Sequence, residues 1–257
     1  MNVKQWIYGL ALALQFFSAI PIRRTLPMNK RTVTAMFSAL PLVGFGFGVV
    51  YAALAYTFTT YTSLSPFFIA TMVVVAGIVI TGGLHLDGWL DMSDAYFSYG
   101  TIEKRQQILD DPRTGAFGVI SFVVLFSVKL AAVYEVLQQS AFFFSIIAIP
   151  VVARLAILLY FTTMTPAKEK GLGAYFKKET SAKRIQLAVG MYCVVLASIA
   201  IIYALYSILC MLVLLCVGVL FYRRWTKKQF GGMSGDLMGA LCEGMEVLLW
   251  LSLLFFL

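Results

Sequence analysis

The sequence predicts an all-α, polytopic integral membrane bundle of about seven transmembrane helices, preceded by an N-terminal interfacial or re-entrant helix. Three observations lead there. Of 257 residues, 61% are hydrophobic and only 12% charged, with a mean hydropathy of +0.87, against roughly 25% charged in an ordinary soluble domain. Uncharged runs approach or exceed the roughly 20 residues that a helix needs to cross about 30 Å of hydrocarbon. The loops between those runs alternate between strongly basic and neutral, as expected of loops sorted to opposite sides of a bilayer. One domain, residues 1–257, is enough to hold them.

Taken in order, the first segment, Trp6 to Ile22, is short and is stopped by Pro21. It can span, lie in the interface or re-enter, and a non-spanning helix is the favoured form. Lys4 ahead of an apolar run also fits a signal peptide, but the cleavage signal is poor and Arg23 follows closely. Apolar spans are then expected at 33–56, 66–86, 116–137, 141–161, 185–203, 206–222 and 237–257. The run from Ile185 to Tyr222 would be roughly 55 Å long as one helix, so it is split near Tyr206 and Ser207. Gly44 and Gly48 form a G-x-x-x-G step inside the first long span, which suits close helix packing.

Charge placement tests the division. Segments 23–31, 101–113, 168–184 and 223–228 carry 4, 3, 6 and 4 basic residues, 17 of the chain's 20, while the turns near 57–65, 138–140 and 203–207 carry none. The basic set is assigned to the cytoplasm, and every acidic cluster falls on that side, so the chemistry is expected at the cytoplasmic face of a cell membrane. A net charge of +8 does not imply nucleic acid, because the Lys and Arg residues sit in short clusters without a continuous stripe or aromatic interleaving. Cys193, Cys210, Cys216 and Cys242 lie in apolar stretches with no C-x-x-C pair and no nearby His, and are read as buried apolar residues. Lys129 and Arg154 lie within spans and are expected to face protein, against carboxylates.

The most informative stretch runs from Gly82 to Asp94, G-G-L-H-L-D-G-W-L-D-M-S-D. Asp87, Asp91 and Asp94 stand at i, i+4 and i+7, within about a 60° arc of a helix. Two such carboxylates about 6 Å apart repel by roughly 3 kcal/mol at an effective dielectric near 20, so something positive is expected between them. Oxygen ligands without His or Cys suit Mg²⁺, or Mn²⁺, which are commonly held by a few carboxylates and substrate phosphates. A solvated acidic helix start, or pairing with nearby Lys and Arg, is the alternative. His85, the only histidine, points away from Asp87 under the same spacing and reads as a packing residue.

Two further stretches join the same face. In Asp110 to Gly118, Asp111 can extend a metal site, Arg113 can fork onto phosphate oxygens and Gly115 lets backbone approach a ligand closely; a simple turn into a helix also fits. In Phe230 to Asp236, Gly231, Gly232 and Gly235 beside an acid at a helix start can form a backbone nest for phosphate, with Asp236 serving metal or nucleophile and Glu243 following at i+7. Lys168, Lys170, Gly171, Gly173, Lys177 and Lys178 can hold an anionic substrate, although positive-inside topology alone explains most of that charge.

With these residues in view, the chain resembles the cobalamin synthase family, also called adenosylcobinamide-GDP ribazoletransferase. The likeness is carried by Phe16-Phe17-Ser18-Ala19-Ile20-Pro21, Gly82 to Asp94 in the form G-G-x-H-x-D-G-x-x-D-x-x-D, Asp111 to Gly118, Gly171-Leu172-Gly173, and Gly231 to Asp236 followed by Glu243. Gln107, Asp110, Pro112 and Ser234 depart from the usual glutamate, basic residue, serine and threonine. The resemblance implies a Mg²⁺-dependent transfer of cobinamide phosphate from adenosylcobinamide-GDP to α-ribazole or its 5′-phosphate, with release of GMP. It implies Asp87, Asp91 and Asp94 at the metal, Asp111 at a second metal or metal-bound water, Arg113 at the pyrophosphate, Asp236 at metal or nucleophile, and Gly115, Lys168, Gly171, Lys177, Gly231, Gly232 and Glu243 around substrate. The expected partners are those two small molecules and the lipid bilayer; nothing in the sequence fixes an oligomeric state.

Two other classes compete. A CDP-alcohol-type membrane phosphotransferase would use similar carboxylates, but its D-x-x-D-G-x-x-A-R pattern is not met: Leu84 stands at its first Asp, and Asp91-Met92 replaces Ala-Arg. A cation transporter would place acids near the midplane and on both sides, whereas here they gather at one face.

Overall fold

In a computed structural model of the chain, which describes residues 2–138, 142–169 and 171–256, helix follows helix, and the described residues contain no strand beyond one isolated parallel bridge, Pro166–Met233. α1 (Val3–Phe17) opens on a capping box between Asn2 and Gln5. Its 15 residues reach about 22 Å, too short for a crossing. It lies along α2 (Lys30–Ser38), where a Cβ at Gly9 would come within 2.7 Å of the Ala35 backbone. α2 and α3 (Leu40–Tyr61) form one apolar stretch of 32 residues, broken at Ala39 just ahead of Pro41, whose ring removes a helical N–H.

The G-x-x-x-G step does bring helices together. A Cβ at Gly44 would sit 2.6 Å from the Pro150 carbonyl oxygen, and one at Gly48 2.7 Å from the Ile147 Cα, both in α8 (Phe142–Thr163). Among the described residues six helices, or seven counting one bent pair, are long and apolar enough to cross a membrane. The bent pair corrects the span expected at 66–86. α4 (Pro66–Thr81), capped by Ser65, ends five residues early, and the chain turns by 91° into α5 (Leu84–Phe97). Gly82 and Gly83, at φ +64° and +74°, make the turn, in the left-handed region that glycine enters without a Cβ penalty.

α6 (Ile102–Leu109) is a short polar helix capped by Thr101. After it come α7 (Ala116–Leu137), α8, the seven-residue α9 (Leu172–Lys178), α10 (Ala182–Ile202), α11 (Tyr206–Phe230) and α12 (Gly235–Leu253). The break expected near Tyr206 falls at 203–205, with Ala204 at φ +53°. The turn expected at 138–140 lies, beyond Gln138, outside the described residues, as does Lys170.

The cysteines need one correction: Cys242 is buried, but Cys216 is exposed on α11 and Cys193 and Cys210 are half-buried. In a bilayer an apolar side chain gains little by turning from lipid to protein, so apolarity does not predict burial there. Lys129 and Arg154 meet carboxylates as expected. Lys129 Nζ lies 3.0 Å from Glu243 and 2.5 Å from Glu246, and Arg154 pairs with the other Glu246 oxygen. This neutral group of four ties α7, α8 and α12 together inside the bundle.

Candidate active site

At one end of the bundle several segments are fastened into a single layer. The Ala19 N–H donates to the Ile80 carbonyl (2.8 Å), which sets the chain after α1 against the α4–α5 turn. Thr165 and Ala167 exchange backbone hydrogen bonds of 2.9 Å with Met233. That pairing needs a glycine at 232, where a Cβ would sit 2.6 Å from the Thr165 carbonyl oxygen. α6 docks on the end of α11: Gln106 Nε2 donates to the Phe230 carbonyl (2.8 Å), and Arg105 donates to the Gln229 carbonyl (3.2 Å) while facing the Tyr96 ring. Lys168 spans to α6, paired with Asp110 and donating to the Gln106 carbonyl (3.2 Å). The three acidic stretches therefore share one end, as the loop charges required.

Within that end, Asp87, Asp91 and Asp236 converge. Gly88 lies directly against the start of α12, since a Cβ there would be 2.4 Å from the Asp236 carbonyl oxygen, and a Cβ at Gly239 would be 3.0 Å from that of His85. These two small residues let α5 cross the first turns of α12 and bring Asp87 beside Asp236. Asp91 lies in the field of Asp87, Asp236 and Asp94. A cleft of about 210 Å³ opens here, lined by Phe16, Phe17, Asp87, Gly173, Phe176 and Asp236, among others. His85 is buried in the α5–α12 contact, 6.4 Å from the Phe17 ring, and is also among the residues that line the cleft.

Asp94 is placed differently from its two neighbours. It is buried, and its carboxylate accepts from the Gly115 N–H (2.6 Å) and the Gly118 N–H (2.8 Å), the free amides that open α7. A Cβ at either glycine would fall 2.5 Å from a carboxylate oxygen. The close approach expected at Gly115 is therefore made by Asp94, an anion on a helix N-terminus. A 60° arc holds three side chains on one stripe but does not say which neighbour each one meets.

The remaining sites are equally specific. Asp111 takes both arms of Arg113 (2.9 and 2.6 Å), and this pairing holds its carboxyl down at about 2. Lys177 donates to the Phe161 carbonyl at the end of α8 and stands over that ring. Gly171, at φ +111°, starts α9, and Gly231, at φ +79°, ends α11. Glu243 is not brought to the cleft; it sits two turns further along α12 with Lys129. Ser234 caps α12 through the Leu237 N–H (3.2 Å) and donates to Asp236 (3.3 Å).

The sequence reading missed Phe16, Phe17 and Phe176 as walls of the cleft, and Gln106 and Arg105 as the clasp on α11. An i, i+3 glycine pair at a helix start, Gly115 and Gly118, was the available signal for the Asp94 contact. A larger recess of about 680 Å³, between α5, α7, α11 and α12, is lined by Trp89, Tyr96, Phe117, Phe221 and Trp225. It lies on the face of α5 opposite Asp87 and Asp91, and its lining carries no charged group.

The donor set decides which metal fits. Asp87 and Asp91 offer hard oxygens one helical turn apart, which suits Mg²⁺ or Mn²⁺. Among the described residues no three His, Cys, Asp or Glu side chains are gathered closely enough to enclose an ion. An ion held by Asp87 and Asp91 alone would take the rest of its shell from water and substrate phosphate.

Residues 9–254 match the family described as Cobalamin-5-phosphate synthase, CobS. A protein of Geobacillus sp. (strain WCH70) named adenosylcobinamide-GDP ribazoletransferase is 37% identical over 246 residues, covering 94% of this chain and 93% of its own. Relatives of the same name from Geobacillus kaustophilus (35%, covering 96% and 95%) and Clostridium botulinum strain Alaska E43 (32%, covering 98% and 100%) align as fully. No solved structure matches the chain.

Proposed function

The chain belongs to the cobalamin-5-phosphate synthase family, and from this we propose how its end cleft works. It is a transferase that joins adenosylcobinamide-GDP to ribazole, and the cleft beside Asp87 and Asp236 is where the two meet. A ribose hydroxyl oxygen of ribazole, or of its 5′-phosphate, bonds to the phosphorus that carries cobinamide. The bond from that phosphorus to the bridging oxygen breaks, and the oxygen leaves with its electron pair as part of GMP. Asp236, at the cleft wall with Ser234 on its carboxylate, receives the hydroxyl proton.

Asp87 and Asp91 hold a Mg²⁺ ion, or Mn²⁺ in its place. When bound, such an ion neutralises charge on the pyrophosphate oxygens. The remaining work is positioning: Asp94 locks α5 to α7, and the Thr165–Met233 hydrogen bond fixes the turn that leads into α12, where Asp236 stands in the first turn. The site faces the cytoplasm, a reading supported by the sequence, in which 17 of the 20 basic residues fall in segments 23–31, 101–113, 168–184 and 223–228.

One observation carries the proposal: Asp87 and Asp236, from two distant motifs, line one cleft, and Asp91 lies in the field of both. The test is turnover by the purified chain in proteoliposomes, following GMP release from adenosylcobinamide-GDP with α-ribazole and, separately, with its 5′-phosphate. Mg²⁺ is expected to be required, and chelation to stop release reversibly. Full turnover in excess chelator would sink the metal assignment.

A further inference from the structure

Three of the basic residues that the sequence placed at the substrate are engaged elsewhere: Arg113 with Asp111, Lys168 with Asp110, and Lys177 with the end of α8. A pyrophosphate substrate still needs cations. Beside the acidic cleft lies a second recess of about 350 Å³, lined by Leu12, Gln15, Phe16, Arg23, Arg24, Thr25, Leu26 and Met28, within the size range of small-molecule sites. Phe16 belongs to both cavities and forms the wall between them. Neither Arg23 nor Arg24 has a hydrogen bond or ion pair among the described residues.

The strap that carries these arginines is held in place at both sides. Gln15 Nε2 donates to the Ile22 carbonyl (3.1 Å), and Ala19 is bonded to Ile80 at the α4–α5 turn. Two guanidinium groups are thus presented next to the reaction centre but clear of its carboxylates. Guanidinium binds phosphate through paired N–H donors and keeps its charge at any working pH.

We propose that the Arg23–Arg24 recess receives the nucleotide half of adenosylcobinamide-GDP, the part that departs as GMP. The inference rests on the transferase reading. It divides the substrate across Phe16: the phosphorus that carries cobinamide lies in the cleft with Asp87, Asp91 and Asp236, and the guanosine phosphate lies with the arginines. The charge logic follows the bond change. As the bridging bond breaks, the departing phosphate gains negative charge, and the arginines stabilise that charge.

The experiment measures equilibrium binding of GMP to the full chain in nanodiscs. It compares the unaltered chain with Arg23→Ala/Arg24→Ala, with Arg23→Lys/Arg24→Lys, and with Lys183→Ala, an exposed lysine on α10. Arg23 and Arg24 are exposed, so the thermal midpoint should hold and report a folded chain. The alanine pair is expected to weaken GMP at least tenfold and the lysine pair by less, with Lys183→Ala unchanged. KM for adenosylcobinamide-GDP should rise in parallel with no change in KM for ribazole.

A lipid phosphate is the other source of the same chemistry. Nanodiscs of phosphatidylcholine alone and with phosphatidylglycerol separate the two: if anionic lipid blocks GMP through the arginines, or if folded Arg23→Ala/Arg24→Ala binds GMP normally, or if the unaltered chain binds none, the proposal is overturned. Turnover read on the same samples keeps the two ideas apart. GMP binding through the arginines without transferase activity would remove the reading of the reaction, whereas activity with arginine-independent GMP binding would remove only this site.

Discussion

Two sets of carboxylates divide the molecule. Inside the bundle, Glu243 and Glu246 face Lys129 and Arg154, so two negative and two positive charges are removed from lipid together. At the end of the bundle, Asp87, Asp91 and Asp236 face one another, and the charged groups acting on Asp91 are all acidic. The inner set is complete within the chain. The outer set has no counter-charge among the groups that act on Asp91, and a bound cation is what we propose supplies it. A buried acid in a membrane protein is therefore informative according to whether the chain itself provides its counter-charge.

That contrast can be broken most severely from the inner side. Lys129→Met leaves Glu243 without a cation and three charges in place of four, and is expected to destabilise the fold by about 3–5 kcal/mol, read as a fall in thermal midpoint in detergent. Lys129→Met/Glu243→Gln removes one charge of each sign and should recover most of the loss, because Arg154 and Glu246 remain paired. If the double variant is no better than the single, charge balance is not what the four residues provide.

The outer set should respond in the opposite way. Asp87→Asn or Asp91→Asn is expected to lower kcat/KM by about 10²–10⁴-fold, the equivalent of several kcal/mol of metal-borne stabilisation. The thermal midpoint should stay level or rise, since each change relieves repulsion between like charges. A fall in midpoint comparable to that of Lys129→Met would place these aspartates with the structural set.

Asp94 belongs to neither set, and it tests the boundary between them. Asp94→Asn replaces one acceptor with an amide facing an α7 N–H, at a cost of about 1–3 kcal/mol. Gly118→Ala, which brings a Cβ within 2.5 Å of the same carboxylate, should act in the same direction. Both should reduce activity by displacing α5, with a loss of midpoint that Asp87→Asn does not show. Unchanged stability with lost turnover would return Asp94 to the ligand-binding group.

Most of the fold was legible because its causes are local. Hydropathy gives span length, loop charge gives sidedness, and the break before Tyr206 follows from a run too long for one crossing. The bend at Gly82-Gly83 was not read, although the glycines were in view, because hydropathy continues across it and only backbone torsion records the turn. The same limit governs the site. Helical spacing placed Asp87, Asp91 and Asp94 on one stripe, but the partner of each depends on which helix crosses there. Gly88 and Gly239 admit α12 beside Asp87, while Gly115 and Gly118 claim Asp94. Glu243 follows Asp236 at helical spacing, yet it lies too deep in the bundle to reach the cleft, where Lys129 meets it.

The smallest effect is expected at Asp111 and Arg113, where charge is paired but exposed. The Arg113 side chain is 86% exposed, and exposed ion pairs contribute little, so removing either partner should leave the thermal midpoint unmoved. The pH dependence follows from the sign of the shift. Arg113 holds the Asp111 carboxyl at about 2, below its ordinary 3.8. The pair's contribution is therefore complete above the ordinary value and disappears only as pH falls through about 2. Across any working pH Asp111 is ionised, and an acid limb in the activity profile must come from another group. Arg113→Met lets Asp111 return toward 3.8 and should leave that limb where it was, while KM for adenosylcobinamide-GDP reports whether Arg113 leaves Asp111 to meet the pyrophosphate. A limb that moves upward in Arg113→Met would mean that Asp111 titrates during turnover, and that this exposed pair belongs to the reaction as fully as Asp87 and Asp91.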